Sequence, residues 1–102
     1  MYAVVGIWNM DPAGREEQDR GLRDLIIPSV RRHPGFCAGY WMRDPESGKG
    51  HTTIVLDSES SARAFKDAVL GNARDQAKAG ITNDSLAVVE LLAQAHPVEE
   101  LQ

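Results

Sequence analysis

The segment 33–65 constrains the fold of this chain more than any other part of the sequence. Within it, two apolar and β-prone stretches, 36–43 and 51–57, flank the turn-rich stretch 44–50. Strands this close in the chain pair as an antiparallel hairpin. A helical pattern begins directly after the second stretch. The segment therefore predicts a strand, a hairpin turn, a second strand and the start of a helix.

Two further elements are predicted before the hairpin. Residues 2–8 are rich in β-branched and aromatic types, which indicates a strand, and the loop residues 9–14 follow. Residues 15–32 then show apolar positions at three- and four-residue steps, the helical period. We expect Pro28 to kink or loosen the last turn of this helix, since it removes one hydrogen bond. The expected inner face consists of Leu22, Leu25, Ile26, Ser29 and Val30.

The helix after the hairpin can be capped by Asp57 or Ser58, whose side chains can accept a backbone N–H. The pair Gly71-Asn72 is expected to interrupt it, and a more polar piece runs on to Gly80. Residues 85–92 form the last predicted strand. The expected inner face of the helix consists of Ala62, Phe65, Ala68 and Val69.

The predicted element order is β-α-β-β-α-β, which with right-handed crossovers gives an α+β, ferredoxin-like fold. Four antiparallel strands form one sheet, and both helices cover the same face of it. The 102 residues suffice for one domain. We place this domain at residues 1–95 and expect 96–102 to be a loose tail.

Both faces of the first and the last predicted strand are apolar. In residues 2–8, Ala3, Val5 and Ile7 lie on one face and Tyr2, Val4 and Trp8 on the other, so both faces are apolar. Residues 86–92 show the same apolar character on both faces. A sheet with one wet face would instead alternate apolar and polar residues. No third helix remains to cover the second face. We therefore predict a homodimer in which two sheets pack face to face.

Composition and residue spacing argue against several kinds of partner and site. The formal net charge of −4 argues against nucleic acid and anionic membranes, which require a basic surface. The single cysteine allows no intrachain disulfide. The sequence shows neither a signal peptide nor an apolar run long enough to span a membrane. We therefore expect a cytoplasmic protein. The histidines and the cysteine are too dispersed for a metal site, and no glycine-rich phosphate loop precedes a helix.

Certain motifs resemble a known family. They are Pro34-Gly35-Phe36 followed by Gly39, the hairpin, and Asp57-Ser58-Glu59-Ser60 leading into Ala64-Phe65. Over residues 2–93 the chain resembles the antibiotic-biosynthesis-monooxygenase-like branch of the dimeric α/β-barrel superfamily. The resemblance implies a dimeric barrel. Members of the family include cofactor-free quinone-forming oxygenases, haem-degrading oxygenases and many proteins of unknown activity.

The resemblance does not extend to the haem branch. That branch carries an asparagine on the first strand, a tryptophan at the end of the third and a histidine on the second helix. Here Ile7 stands at the asparagine position and Leu56 at the tryptophan position. No histidine occurs between residues 58 and 80, where the second helix is predicted. Asn9 lies two residues past the asparagine position and is expected in the loop. Without the usual axial ligand, we expect no haem and no other cofactor.

A cofactor-free oxygenase needs aromatic walls, a donor for the substrate anion and a proton acceptor. The candidate catalytic residues are His51 and Tyr40. The candidate substrate-binding residues are Trp8, Asn9, Trp41, Arg43 and Asn72. Each also has a purely structural interpretation, as a core, interface or surface residue. Tyr40 and Trp41 are adjacent on one strand and must face opposite sides of the sheet; the sequence leaves open which one faces the helices.

Two functions remain open. The chain is either a cofactor-independent monooxygenase acting on an aromatic or polyketide-like substrate, or a non-catalytic homodimer that binds a small hydrophobic ligand or supports an assembly. A cavity of at least ~300 Å³ lined by aromatic and convergent polar groups would favour a ligand site. A cleft filled by Phe65, Ile54, Leu56 and Leu25 would favour a structural role.

Overall fold

The computed structural model describes residues 1–98 and contains one four-stranded sheet. Its strands are β1 (Tyr2–Met10), β2 (Phe36–Arg43), β3 (Gly50–Leu56) and β4 (Ile81–Glu90). They lie in the order β2-β3-β1-β4, and all neighbours are antiparallel. The predicted ferredoxin-like fold is confirmed. Residues 91–98 have no regular structure, and the rest of the expected tail, 99–102, lies outside the described residues.

The first predicted helix consists of three consecutive pieces. They are α1 (Arg15–Gly21), a π-helical turn (Leu22–Ile26) and α2 (Ile27–Arg31), preceded by a 3-10 turn (Pro12–Gly14). Pro28 lies in the first turn of α2, where the missing N–H costs least. The expected disturbance therefore takes the form of a π turn just before the proline, with the Ile27 N–H bonded back to the Leu22 carbonyl.

The π turn decides which residues face the sheet. Four residues spaced by four, Gln18, Leu22, Ile26 and Val30, all border the space between helix and sheet. In a regular α-helix of ~3.6 residues per turn such a spacing drifts steadily around the axis, whereas a wider turn keeps it in line. Leu25, predicted to face inward, is instead 71% exposed.

The second helical region also consists of two pieces. Helix α3 (Glu59–Gly71) is capped by Ser58, whose Oγ accepts a hydrogen bond from the Ser61 N–H at 3.2 Å. The predicted interruption at Gly71-Asn72 is present, and α4 (Ala73–Lys78) follows. Ala62 and Phe65 are buried as predicted, whereas Ala68 is exposed.

The described core lies between α3 and one face of the sheet. Its buried members are Val4, Ile54, Leu56, Ala62 and Phe65. The β1–β3 register pairs Val4 with Ile54 and Gly6 with Thr52, so the even-numbered residues of β1 face the helices. The odd-numbered residues of β1 face the opposite, open side of the sheet.

A β-bulge in β4 explains where the strand limits differ from prediction. The register changes from Ile7 opposite Ser85 to Trp8 opposite Asn83, which leaves Asp84 as the extra residue. Pairing then continues to Met10 opposite Ile81, so β1 includes Asn9, which had been expected in the loop. The strand was predicted to begin at Ser85 because the alternation of side chains between the two faces is interrupted at the bulge. The observed strand begins four residues earlier, at Ile81.

No helix in residues 1–98 combines the length and the apolar character needed to cross a membrane.

Candidate functional site

A cavity of about 250 Å³ lies between the helices and the covered face of the sheet. Its lining is mainly apolar and includes the aromatic side chains Trp8, Trp41 and Phe65. The volume lies just below the range of roughly 300–1,000 Å³ typical of ligand pockets. Leu56 is buried in the adjoining core and Leu25 is exposed, so neither of them fills the cleft.

Two glycines leave room for the indoles on this face of the sheet. A Cβ atom at Gly39 would lie 2.7 Å from Cη2 of Trp41. A Cβ atom at Gly6 would lie 2.7 Å from Nε1 of Trp8 and 2.8 Å from Oγ1 of Thr52. Carbon atoms in van der Waals contact are ~3.5–4.0 Å apart, so no larger residue fits at either position with the indoles where they are. The glycines thus allow both indoles to lie close to the sheet.

A hydrogen bond orients the first indole. Nε1 of Trp8 donates to Oγ1 of Thr52 at 3.1 Å, across the β1–β3 pair. Trp8 is 9% exposed, and an indole N–H buried to this degree requires such an acceptor. Because the Thr52 oxygen accepts here, its own hydrogen is left to donate to another group. Thr52 therefore offers the cavity one hydrogen-bond donor.

The ionisable side chains that border the cavity are Asp19 and Arg43, and they bind each other. Nη2 of Arg43 donates to Oδ1 of Asp19 at 2.8 Å, which links α1 to the end of β2. This hydrogen bond is the main cause of the lowered pKa of Asp19. The carboxylate is consequently a weak proton acceptor, while the guanidinium retains further N–H groups that can bind an anion.

Gln18 is the buried polar residue of the site, and the sequence interpretation missed it. Its Nε2 donates to the backbone carbonyls of Asp11 at 2.9 Å and Ala79 at 3.0 Å. Gly80 ends the second helical region with φ of 76°, the left-handed conformation that favours glycine. Gly80 also lies beside the Gln18 amide. One signal could have revealed Gln18: it extends the four-residue spacing of the apolar residues Leu22, Ile26 and Val30.

The structure brings three of the predicted substrate-binding residues together. Trp8, Trp41 and Arg43 all border the cavity. Of the adjacent pair Tyr40 and Trp41, Trp41 is therefore the one that faces the helices.

The remaining candidates lie elsewhere. Tyr40 is 53% exposed, and His51 alternates with the cavity residue Thr52, so both lie on the open face. Asn9 is exposed at the end of β1, in a shallow cleft with Lys49 and Thr82. Asn72 is exposed at the junction of α3 and α4. None of these side chains borders the cavity.

The donor set of the cavity does not fit haem. Among residues 1–98, no histidine, cysteine or tyrosine borders the cavity, so a side chain that could serve as the proximal ligand of haem iron is missing. His33 packs edge-on against Phe65, with ring centroids 5.2 Å apart, and its Nδ1 lies 3.1 Å from the Pro34 carbonyl oxygen. The described part of the chain also holds no cluster of side chains suited to a metal ion.

No protein-family model matches this sequence, and no curated protein matches it. Solved structures, in contrast, match along nearly the whole chain. A protein of Deinococcus radiodurans assigned as an antibiotic biosynthesis monooxygenase superposes with a TM-score of 0.69 at 13% identity, covering 98% of this chain and 100% of that one. This chain therefore shares the fold of that protein.

Two further structures show the range of proteins that share this fold. A monooxygenase of Streptomyces coelicolor in complex with nanaomycin D has a TM-score of 0.66 at 13% identity, covering 95% of this chain and 92% of that one. The haem degrader MhuD of Mycobacterium tuberculosis, with two haems bound, has a TM-score of 0.64 at 20% identity, covering 93% and 98%. The similarity predicted from the sequence is thus confirmed at the level of the fold.

Proposed function

We propose that this chain binds a small ring-bearing molecule in the cavity and acts on it as a cofactor-independent monooxygenase. The observation that carries the proposal is the pair of indoles, Trp8 and Trp41, beside an apolar cavity with few polar groups. Such a lining suits an aromatic or polyketide-like substrate, because apolar walls bind the rings and isolated polar groups orient them. The monooxygenase that shares the fold and binds nanaomycin D supports this substrate class by analogy.

The reaction would use dioxygen as the only oxidant. A suitable substrate is an electron-rich phenol, hydroquinone or anthrone, whose anion gives electrons to O₂. For an anthrone, one oxygen atom becomes the new carbonyl oxygen of the quinone. The other oxygen leaves as water with the two hydrogens of the oxidised CH₂ group.

The chain would favour this reaction mainly by stabilising the substrate anion. Arg43 supplies positive charge at the edge of the cavity, and the Thr52 hydroxyl supplies a neutral donor. Groups preorganised in this way are most effective where water is excluded. Asp19 is held at a lowered pKa, so we assign the proton to solvent at the cavity edge rather than to this carboxylate.

His51 and Tyr40, the catalytic candidates of the sequence, stay predictions that this geometry does not support. Both lie on the open face, away from the indoles. Replacing either of them should leave binding in the cavity intact.

The proposed assembly is a homodimer formed through the open face of the sheet. Val5, Ile7 and Val89 share this face with Tyr40, and Val89 and Tyr40 are exposed in the single chain. An apolar face of this kind favours a protein partner, and a second copy offers the same surface. The proposed compartment is the cytoplasm, which suits a chain whose only cysteine is unpaired.

One observation favours the alternative of ligand binding without chemistry. The ionisable side chains bordering the cavity, Asp19 and Arg43, are engaged with each other, so neither is poised as a general base near neutral pH. A dimeric carrier or accessory protein would need only the apolar cavity.

The experiment that separates these functions measures binding and oxygen uptake together. The sequence contains two tryptophans, and both border the cavity, so intrinsic fluorescence reports directly on its occupancy. The chain is titrated with anthrones and hydroquinones, and dioxygen consumption is followed with and without protein. Saturable quenching with oxygen uptake supports the monooxygenase, quenching without uptake supports the carrier, and no quenching by any ring-bearing probe contradicts both.

A further inference from the structure

The orientation of the Gln18 amide, which borders the cavity, is determined by its hydrogen-bond partners. Both partners of its nitrogen, at Asp11 and Ala79, are carbonyl oxygens. Only the NH₂ end of an amide can meet two acceptors, so the nitrogen must face them and the oxygen must face away. The orientation is therefore unambiguous.

The oxygen of this amide has no donor among the described residues. The side-chain hydrogen bonds of Gln18 in residues 1–98 all involve Nε2. Gln18 is only 4% exposed. Every fully buried side-chain nitrogen or oxygen of the described residues has a hydrogen-bond partner, so an oxygen without one cannot be fully buried. Oε1 therefore retains some accessible surface, and Gln18 is one of the residues that border the cavity.

The backbone around Gln18 is arranged to hold the amide in this position. A Cβ atom at Gly14 would lie 3.1 Å from Nε2, and one at Gly80 would lie 3.4 Å from it. Small residues thus let the amide reach the two carbonyls, one before α1 and one after α4. The side chain joins these two segments and is held rigidly at both N–H groups.

A rigid acceptor with no partner in an apolar cavity discriminates between ligands. Leaving it without a donor when the cavity is filled costs free energy, whereas a ligand O–H or N–H removes that cost. We propose that Gln18 is a specificity-determining residue whose Oε1 accepts a hydrogen bond from a ligand hydroxyl or N–H. This inference rests on the proposed function of the cavity and narrows its substrate class to rings that carry such a donor.

The neutral acceptor also fixes the protonation of the group that it binds. An amide oxygen offers lone pairs and no proton, so it favours a protonated hydroxyl and disfavours a phenolate. The hydroxyl recognised by Gln18 therefore stays neutral, and any position that ionises during oxidation must be a different one. A ring with at least two substituents fits this requirement.

The test uses two probes that differ by one hydrogen-bond donor. 1-Naphthol carries an O–H, and in 1-methoxynaphthalene that hydrogen is replaced by a methyl group. Their dissociation constants are measured by calorimetry. One net hydrogen bond corresponds to a factor of roughly 3 to 10, so the natural chain should prefer 1-naphthol by that ratio.

Two variants remove the acceptor in different ways. Gln18→Met keeps the length of the side chain but loses all hydrogen bonding. Gln18→Lys can still donate to the carbonyls of Asp11 and Ala79 but has no acceptor, so it serves if the methionine variant fails to fold. We expect the preference for 1-naphthol to fall to a ratio of about 1 to 2 in both, because the paired hydrogen bond is absent.

The matched control is Gln76→Met. Gln76 also borders the cavity, but its Nε2 has one partner, the Val69 carbonyl at 3.2 Å, and the side chain is only half-buried. Its replacement should leave the preference unchanged.

Each outcome decides the inference. Loss of the preference in the Gln18 variants, and its retention in Gln76→Met, supports the assignment. If the Gln18 variants keep the preference, or if the natural chain shows none, the inference is wrong although binding in the cavity stands. If neither probe binds, the proposed function fails and this inference fails with it.

Discussion

The two faces of the sheet have similar apolar composition but different structures. On the covered face, Gly6 and Gly39 leave room for two indoles, and the helices close a cavity above them. On the open face, Tyr40, Val5 and Val89 form an apolar surface that no helix of residues 1–98 covers. The difference shows that apolar residues on a strand predict burial but do not say whether a ligand or a second chain provides it.

The largest effect should come from placing a charge on the open face. In Val89→Glu, dimerisation would bury an unpaired carboxylate, which is far more costly than exposing it on the monomer. We expect the dimer dissociation constant to rise at least ~100-fold, as measured by light scattering over a concentration series. The cavity should still bind 1-naphthol, because Val89 faces away from it. A monomeric mass for the natural chain at micromolar concentration would contradict the proposed dimer.

The next effect compares the two neighbouring aromatic residues of β2. Trp41→Ala removes an aromatic wall of the cavity and should weaken 1-naphthol binding by roughly tenfold or more. Tyr40→Ala, on the open face, should change the affinity less than ~2-fold. Calorimetric titrations of both variants check this pair. Equal losses would mean that the cavity is not where the ligand binds.

A glycine substitution tests how tightly the covered face is packed. Gly6→Ala places a methyl group against Trp8 and Thr52 and should lower the free energy of unfolding by ~1–3 kcal/mol, as overpacking does. Gly21→Ala is the matched control, since nothing lies within 4 Å of its added Cβ and the backbone there is helical. It should raise stability by ~0.5–1 kcal/mol. Urea unfolding of both variants provides the comparison, and a neutral Gly6→Ala would show that the indole moves freely.

The smallest effect concerns the ion pair beside the cavity. Because the pKa of Asp19 is lowered in the folded chain, its stabilising contribution is present above the ordinary carboxyl pKa of ~3.9 and is lost as the pH falls through the lowered value. Arg43→Met should raise the pKa of Asp19, as followed by carboxyl NMR. Lys49→Met is the control: it should raise the pKa of Asp84, which is lowered chiefly by its hydrogen bond to Lys49, and leave Asp19 unchanged.

Much of the fold follows from local signals in the sequence. The hairpin was predicted because its turn residues separate two β-prone stretches, and β2 begins and ends where expected, at Phe36 and Arg43. The limits of β1 and β4 were missed because a bulge changes the alternation at Asp84, and a bulge is a property of pairing rather than of one strand. The exposure of Leu25 depends on the π turn, which in turn depends on where Pro28 lies in the helix.

The site was less predictable than the fold. The candidate aromatic and charged residues lie on both faces of the sheet. Only the register of β2 and β3 decides that Trp41, and not Tyr40, faces the helices. Gln18 was overlooked because a polar residue in a helix is normally assigned to the surface. Its burial depends on the carbonyls of Asp11 and Ala79, which are distant in sequence and adjacent only in the folded chain.

The central claim, that the ligand site is the covered cavity, can be tested directly by titrating ¹⁵N-labelled protein with 1-naphthol and recording amide and indole NMR signals. The account predicts that the indole N–H signals of Trp8 and Trp41 shift together and saturate with one dissociation constant, while the backbone amides of Tyr40 and Val89 shift little. Shifts concentrated at Tyr40 and Val89, with unchanged indole signals, would contradict it.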